Sequence, residues 1–207
     1  MPKQVDKQAY NFRHYCGLGR MASYWHQLDE ILKCQPTSVL EIGVGDHLVA
    51  DYLKNNTTIN YTSADVAEDL APDVICSVTD LKFNNDQFDV VCAFEVLEHL
   101  PWQQLPQALH ELARVTKGTV LISLPHWGRH FAWQIRLPFF KKLGGQFKPP
   151  VWPIKHAFNG QHYWEIGKRG YPLKLVKQII EQSGLKIIRD YVAFDNPYHH
   201  FFILKKI

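Results

Sequence analysis

The stretch Val39-Leu40-Glu41-Ile42-Gly43-Val44-Gly45-Asp46-His47 decides the fold, because a short apolar strand runs directly into a glycine turn. The strand is predicted at residues 38–42, and a helix follows the turn and ends near Lys54. Glycines at positions 43 and 45 allow a tight turn and let a ligand approach the backbone closely. In α/β sheets, ligands bind at the carboxyl ends of the strands. The sequence therefore predicts a ligand-binding loop at this point.

Strands and helices alternate on both sides of this loop. A helix is predicted at residues 8–35, strands at 59–63, 74–78, 88–94 and 119–125, and a helix from Pro101 to Gly118. The run at 88–94 is almost continuously apolar, as in a strand that is buried on both faces of a parallel sheet. Short links between alternating strands and helices predict a doubly wound parallel sheet with helices on both faces.

The C-terminal part departs from this alternation. After a helix at residues 173–182, strands are predicted at 185–194 and 199–204, with only four residues between them. A parallel crossover needs a longer connection, so the pair forms an antiparallel hairpin. We predict an α/β fold with three layers: a doubly wound, mostly parallel, Rossmann-like sheet of seven strands. Residues 1–207 form one domain, with 126–170 as an insertion that caps the substrate side.

Composition and charge exclude several classes of protein. The net charge of +3 is too small to indicate a polyanionic partner, so no nucleic acid is expected. The four cysteines form no CxxC pair or ligand cluster, so we expect reduced thiols and no metal site. The first residues contain no apolar signal segment, and no apolar stretch approaches the roughly 20 residues of a membrane span. These observations predict a cytoplasmic protein.

Acidic residues lie at the ends of four successive strands of the predicted sheet: Glu41 before and Asp46 after the glycine loop, then Asp65, then Asp80, then Glu95. A dinucleotide would place its diphosphate on the glycine loop, where two carboxylates repel it. The third glycine of GxGxxG is also missing, because position 48 is leucine. A nicotinamide-dependent oxidoreductase is therefore disfavoured, and a ligand that carries positive groups fits better. A single aspartate at such a place is often only a cap or turn residue.

The segments VLEIGVGDH, the aspartate at 65, SVTDLKF and FDVVCAFEVLEHLPW resemble the successive motifs of class I methyltransferases that use S-adenosylmethionine (SAM), especially the type 11 group. The similarity covers residues 37–125 and, more loosely, 171–206. One departure is His47, where many family members have a small residue. The resemblance implies SAM as cofactor and S-adenosylhomocysteine as its product.

The resemblance also implies roles for individual residues. Glu41, Gly43 and Gly45 would hold the methionine end of SAM, Asp65 with Val66 the ribose, and Asp80 with Leu81 the adenine; Phe94 and Glu95 would complete the pocket. In similar enzymes the N-terminal segment covers the cofactor; here it carries Tyr10, Arg13, His14, Tyr15 and Arg20, although a helix packed on the sheet is the other interpretation.

Residues 126–165 form an aromatic and basic segment. They hold four of the six tryptophans and six lysines or arginines against a single acid, Glu165. One interpretation is a packed cap with a solvated basic rim. The other is a pocket for a small-molecule acceptor that is anionic, lipid-linked or aromatic. Residues 131–142 can also lie at a membrane surface as an amphipathic segment.

Methyl transfer is an in-line displacement, and most of its catalysis can come from positioning the two reactants. A hydroxyl or carbon acceptor also needs a general base, for which histidine is best matched to neutral pH. The predicted catalytic residues are His99, His126 and His162, although each can be a structural histidine. A protein that binds SAM without catalysis, as a sensor or partner subunit, is the alternative function.

Overall fold

The computed structural model describes residues 7–135 and 143–207. Within these two ranges nine strands form two sheets: β1 Ser38–Ile42, β2 Asn60–Asp65, β3 Val74–Ile75, β4 Phe88–Phe94, β5 Thr116–Pro125, β6 Phe131–Ile135, β7 Leu143–Phe147, β8 Leu185–Val192 and β9 His199–Lys206. The main sheet has seven strands in the order β3-β2-β1-β4-β5-β9-β8. Strands β1 to β5 are parallel, whereas β9 is antiparallel to both β5 and β8. The predicted sheet and its hairpin are confirmed.

Helices cover both faces of the main sheet. The α-helices are α1 Phe12–Tyr15, α2 Leu18–Lys33, α3 Leu48–Asn56, α4 Leu105–Val115 and α5 Leu173–Gln182. On one face Ile31 of α2 and Leu53 of α3 pack in the same cluster as Val39 of β1. On the other face Leu109 of α4 packs in the same cluster as Leu40. Because neighbouring residues of a strand point to opposite faces, a strand covered on both sides must be apolar throughout. The three predicted layers are confirmed.

Several predicted boundaries were wrong. Helix α4 begins at Leu105 rather than Pro101, because 3-10 turns at Leu97–His99 and Trp102–Gln104 precede it and Pro106 lies in its first turn. Gly118 lies inside β5, and β3 ends at Ile75 instead of Val78. The predicted helix at 8–35 is divided into a 3-10 turn at Lys7–Tyr10, the single turn of α1, and α2, which begins only after Gly17.

The predicted cap contains a second, two-stranded sheet in which β6 and β7 pair antiparallel. Every residue of β6 is exposed, whereas Trp164 and Ile166 are completely buried in the main core. The end of the cap is therefore packed core, and β6 is not a helix. Residues 136–142, which belong to the predicted membrane-surface segment, lie outside the described residues. Within the described part of the chain, no helix has the length and apolar character needed to cross a membrane.

Candidate active site

The glycine loop after β1 has the backbone geometry that its residues predict. Gly43 and Gly45 have φ angles of +81° and +55°, in the left-handed region that favours glycine. A Cβ atom added at Gly43 would overlap Cγ2 of Val96. The N–H of Gly43 donates to the carbonyl oxygen of Ala64 at 2.9 Å, which attaches the loop to the end of β2. The loop therefore exposes its backbone over the sheet edge without side chains in the way.

A cavity lies over this loop, at the carboxyl ends of β1, β2 and β4, and encloses about 1060 Å³ of empty space including its open mouth. Eight residues of the predicted site line it: Glu41, Gly43, Gly45, Asp65, Val66, Phe94, Glu95 and His99. We call it the cofactor cavity. The fold thus brings these eight predicted residues together from the ends of three separate strands.

Two residues predicted to hold the adenine do not line the cofactor cavity. Asp80 is largely exposed and forms an ion pair with Lys82. Leu81 is buried in the core, and its N–H donates to Glu111 at 2.8 Å. The strand ends early and turns back, so Ser77 and Val78 line the wall at this place. The prediction missed these two residues because it extended β3 as far as Val78.

Carboxylates dominate the charge of the cofactor cavity. Glu41, Asp46, Asp65 and Glu95 line it, and Arg20 is the one arginine or lysine among the described lining residues. Burial raises the pKa of Glu41 to about 8, against a hydrogen bond donated by the Tyr61 hydroxyl that lowers it. Burial also raises the pKa of Asp65. A cationic ligand would favour the ionised form of both groups.

The carboxylate of Asp65 is held in place by the backbone around the cavity. Its Oδ2 accepts a hydrogen bond from the N–H of Val44 at 3.1 Å, and its Oδ1 accepts one from Ala67 at 2.8 Å. A carboxylate oxygen has two lone pairs, so each oxygen keeps one for a further donor. The Asp65 carboxylate can therefore accept hydrogen bonds from a diol.

The N-terminal segment forms part of the wall of the cofactor cavity. Tyr10, Tyr15, Arg20 and Tyr24 line it, and the Arg20 guanidinium lies 4.6 Å from the centre of the Tyr15 ring. Three of these residues were among those predicted. Tyr24 was missed, although it falls four positions after Arg20 and so shares a helix face with it.

The predicted catalytic histidines lie in two places. His99 lines the cofactor cavity, and burial lowers its pKa to about 4. The His162 ring contacts the His99 ring with centroids 5.0 Å apart. Glu98 lies close to both histidines and is completely buried. Burial and the nearby Glu95 carboxylate raise the pKa of Glu98 well above its usual value. His162 does not itself line the cavity.

His126 lines a second cavity on the cap side of β5, together with basic residues of the cap such as Lys148, Lys168 and Arg169. Its Nδ1 lies 2.8 Å from Nδ1 of His200, and burial lowers the pKa of His126 to about 3. The structure therefore places His126 apart from His99 and His162. We call this the basic cavity.

Comparison with known proteins agrees with this geometry. Residues 40–123 match the family model described as "Methyltransferase domain". No curated protein sequence matches the chain significantly. Many solved structures match, with low sequence identity. A SAM-dependent methyltransferase from Clostridium acetobutylicum has a TM-score of 0.61 at 8% identity, over 96% of this chain and 95% of that one.

Two further structures hold ligands. A 1,6-didemethyltoxoflavin-N1-methyltransferase from Burkholderia thailandensis, with its acceptor and S-adenosylhomocysteine bound, has a TM-score of 0.60 at 14% identity, over 92% of this chain and 78% of that one. The magnesium protoporphyrin IX methyltransferase from Synechocystis PCC 6803, with bound SAM, has a TM-score of 0.60 at 12% identity, over 98% of this chain and 87% of that one. The family-model match over residues 40–123 confirms the predicted resemblance to class I SAM-dependent methyltransferases of type 11, and the solved structures share the fold of this chain.

Proposed function

We propose that the protein is a SAM-dependent methyltransferase that transfers a methyl group to a small-molecule acceptor. The observation that carries this proposal is the charge of the cofactor cavity: four carboxylates and Arg20 surround a loop of two glycines. A sulfonium and an amine are positive groups that these carboxylates attract, whereas a diphosphate would be repelled. Arg20 provides one cation, which suits the carboxylate of the methionine moiety.

The residue roles within this proposal follow the strand ends. Glu41, Gly43 and Gly45 bind the methionine end, and Asp65 with Val66 binds the ribose diol. Phe94 and Glu95 line the wall nearest the reacting methyl group. For the adenine we propose Ser77 and Val78, since they line the cavity where Asp80 and Leu81 do not.

The acceptor is proposed to be anionic or lipid-linked. The basic cavity provides Lys148, Lys168 and Arg169 for a negative group. Beside it, the hairpin of β6 and β7 exposes Phe131, Trp133, Ile135, Leu143 and Phe147, each with about half or more of its surface accessible. Exposed apolar side chains next to cations suit an amphiphilic molecule or a peripheral contact with a lipid surface.

Isothermal titration calorimetry with SAM, S-adenosylhomocysteine and NAD tests the cofactor assignment. We expect the first two to bind and NAD to give no heat. Binding of NAD alone would contradict the proposal and favour an oxidoreductase.

Incubation with radiolabelled SAM and fractionated cell extract tests for catalysis. We expect label in a small-molecule or lipid fraction, which would also identify the class of acceptor. Tight SAM binding without transfer into any fraction would favour the alternative, a SAM-binding protein that acts as a sensor or partner subunit.

A further inference from the structure

Glu98 is a buried carboxylate whose hydrogen-bonding capacity is unmet. Its side chain is 0% exposed, and neither Oε1 nor Oε2 has a hydrogen-bond partner among the described residues. Leaving a buried polar atom unpaired costs about 1–3 kcal/mol, and more for a charge. Its backbone is fixed, because the carbonyl oxygen of Glu98 accepts a hydrogen bond from Tyr163 at 2.9 Å. Such a group is expected to have a partner that the protein alone does not supply.

Two histidines beside Glu98 are oriented by hydrogen bonds at Nδ1. For His99, Nδ1 lies 3.1 Å from the carbonyl oxygen of Gln161; since a carbonyl only accepts, Nδ1 carries the hydrogen and Nε2 the lone pair. For His162, Nδ1 lies 3.3 Å from Oε1 of Glu165, and Nε2 lies 4.0 Å from Oε1 of Glu98. A histidine that donates through one nitrogen to a carbonyl or carboxylate has the tautomer and orientation of a metal ligand.

We propose that Glu98, His99 and His162 bind a divalent transition-metal ion beside the cofactor cavity. Their ligand atoms all lie within 4.8 Å of one another. Metal–ligand bonds of about 2.0–2.2 Å bring such atoms to within about 3–3.5 Å, so the side chains close in by about 1 Å or a little more. Two imidazoles and one carboxylate favour Zn²⁺, Mn²⁺, Co²⁺ or Fe²⁺ over Mg²⁺ or Ca²⁺, which prefer oxygen ligands.

Three protein ligands leave coordination positions open, as in catalytic metal sites. His99 lines the cofactor cavity, so the ion adjoins the space next to the cofactor. The next step rests on the proposed function. The acceptor is then a hydroxyl compound whose oxygen binds the metal and loses its proton to solvent near neutral pH. The oxygen forms a bond to the methyl carbon, and the carbon–sulfur bond breaks with its electron pair returning to sulfur. In this scheme His99 and His162 are metal ligands, and neither acts as the general base that accepts the proton of the acceptor.

Metal binding is tested directly on the full chain after treatment with a chelator. Titration with Zn²⁺ and Mn²⁺, followed by calorimetry and electron paramagnetic resonance, is expected to show one site per chain. The variants Glu98→Gln and His162→Ala should each weaken binding at least 10-fold. His110→Ala is the matched control, since His110 is an exposed histidine of α4, and it should bind as the wild type does. Equal affinity in His162→Ala and the control would overturn the proposal.

Glu165→Gln separates orientation from folding, because Glu165 touches His162 but is not itself a proposed ligand. We expect about 10-fold weaker metal binding in this variant with unchanged circular dichroism. Unchanged metal affinity would contradict the orientation argument.

Titration of the metal-free protein with S-adenosylhomocysteine distinguishes the metal proposal from the proposed function. Cofactor binding without a metal site refutes only the metal, and metal binding without cofactor binding refutes only the proposed function.

Discussion

Nε2 of His47 lies 2.6 Å from the carbonyl oxygen of Leu70, so the imidazole N–H joins the glycine loop to the 3-10 turn after β2. His47 has a φ angle of +67°, which is unusual for a residue with a side chain. In this protein the hydrogen bond to Leu70, which lines the cofactor cavity, offsets the backbone strain.

Replacing His47 separates the strain from the hydrogen bond. His47→Ala loses the bond and keeps the positive φ, so we expect a loss of about 1–2 kcal/mol in the free energy of unfolding. His47→Gly also loses the bond but relieves the strain, and should lie within about 1 kcal/mol of the wild type. Urea denaturation measures both values. An alanine variant as stable as the glycine variant would contradict this account.

The close approach of Gly43 to Val96 makes Gly43→Ala unfavourable in two ways, by overlap with Cγ2 of Val96 and by the φ angle of +81°. We expect a loss of about 1–3 kcal/mol in urea denaturation. Adding Val96→Ala should recover part of the loss, because it removes the overlap but leaves the strain. Gly19→Ala, in α2 with only ordinary contacts to Asn196, is the control and should be neutral or stabilising. No recovery in the double variant would show that the overlap is unimportant.

Asp65 and Asp80 form a matched pair for cofactor binding, since Asp65 lines the cofactor cavity and Asp80 is largely exposed outside it. In Asp65→Asn one oxygen becomes a donor and the charge is lost, so we expect SAM to bind at least 10-fold more weakly by calorimetry. Asp80→Asn should change the Kd less than 2-fold. A larger loss of SAM affinity in Asp80→Asn than in Asp65→Asn would show that Asp65 does not bind the ribose. A thermal melt of each variant checks that it is folded.

The raised pKa of Glu41, about 8 against the usual 4.5, makes stability depend on pH. Between these two values the unfolded chain has released a proton that the folded chain retains, so the free energy of unfolding falls as pH rises. The contribution is fully present below about pH 4.5 and is lost as pH rises through 8. Wild type should therefore lose stability relative to Glu41→Gln by on the order of 1 kcal/mol per pH unit in that range. If the free energy of unfolding of wild type and Glu41→Gln changed with pH in the same way, the raised pKa of Glu41 would be contradicted.

The sequence predicted those features of the fold and the site that depend on hydrophobic periodicity and on residues that are neighbours along the chain. The apolar run at 88–94 and the four residues between the last two strands specify the sheet and its hairpin. The glycines and acids that directly follow strands were placed in the cofactor cavity for the same reason. Asp80 and Leu81 were not, because the length of β3 depends on tertiary contacts. The proximity of His162 to Glu98 was also beyond sequence reasoning, since 64 positions of chain separate them and the cap folds back irregularly.

The antiparallel strand β9 begins with His199 and His200, and neighbouring strand residues point to opposite faces. His199 lies 3.4 Å from Glu95 on the cofactor side, while His200 lies 2.9 Å from Asp190 and contacts His126 at the basic cavity. His199 thus contacts a residue that lines the cofactor cavity, and the next residue, His200, lines the basic cavity. The paired strands β5 and β9 therefore stand between the two cavities, so the binding regions proposed for donor and acceptor share this stretch of backbone.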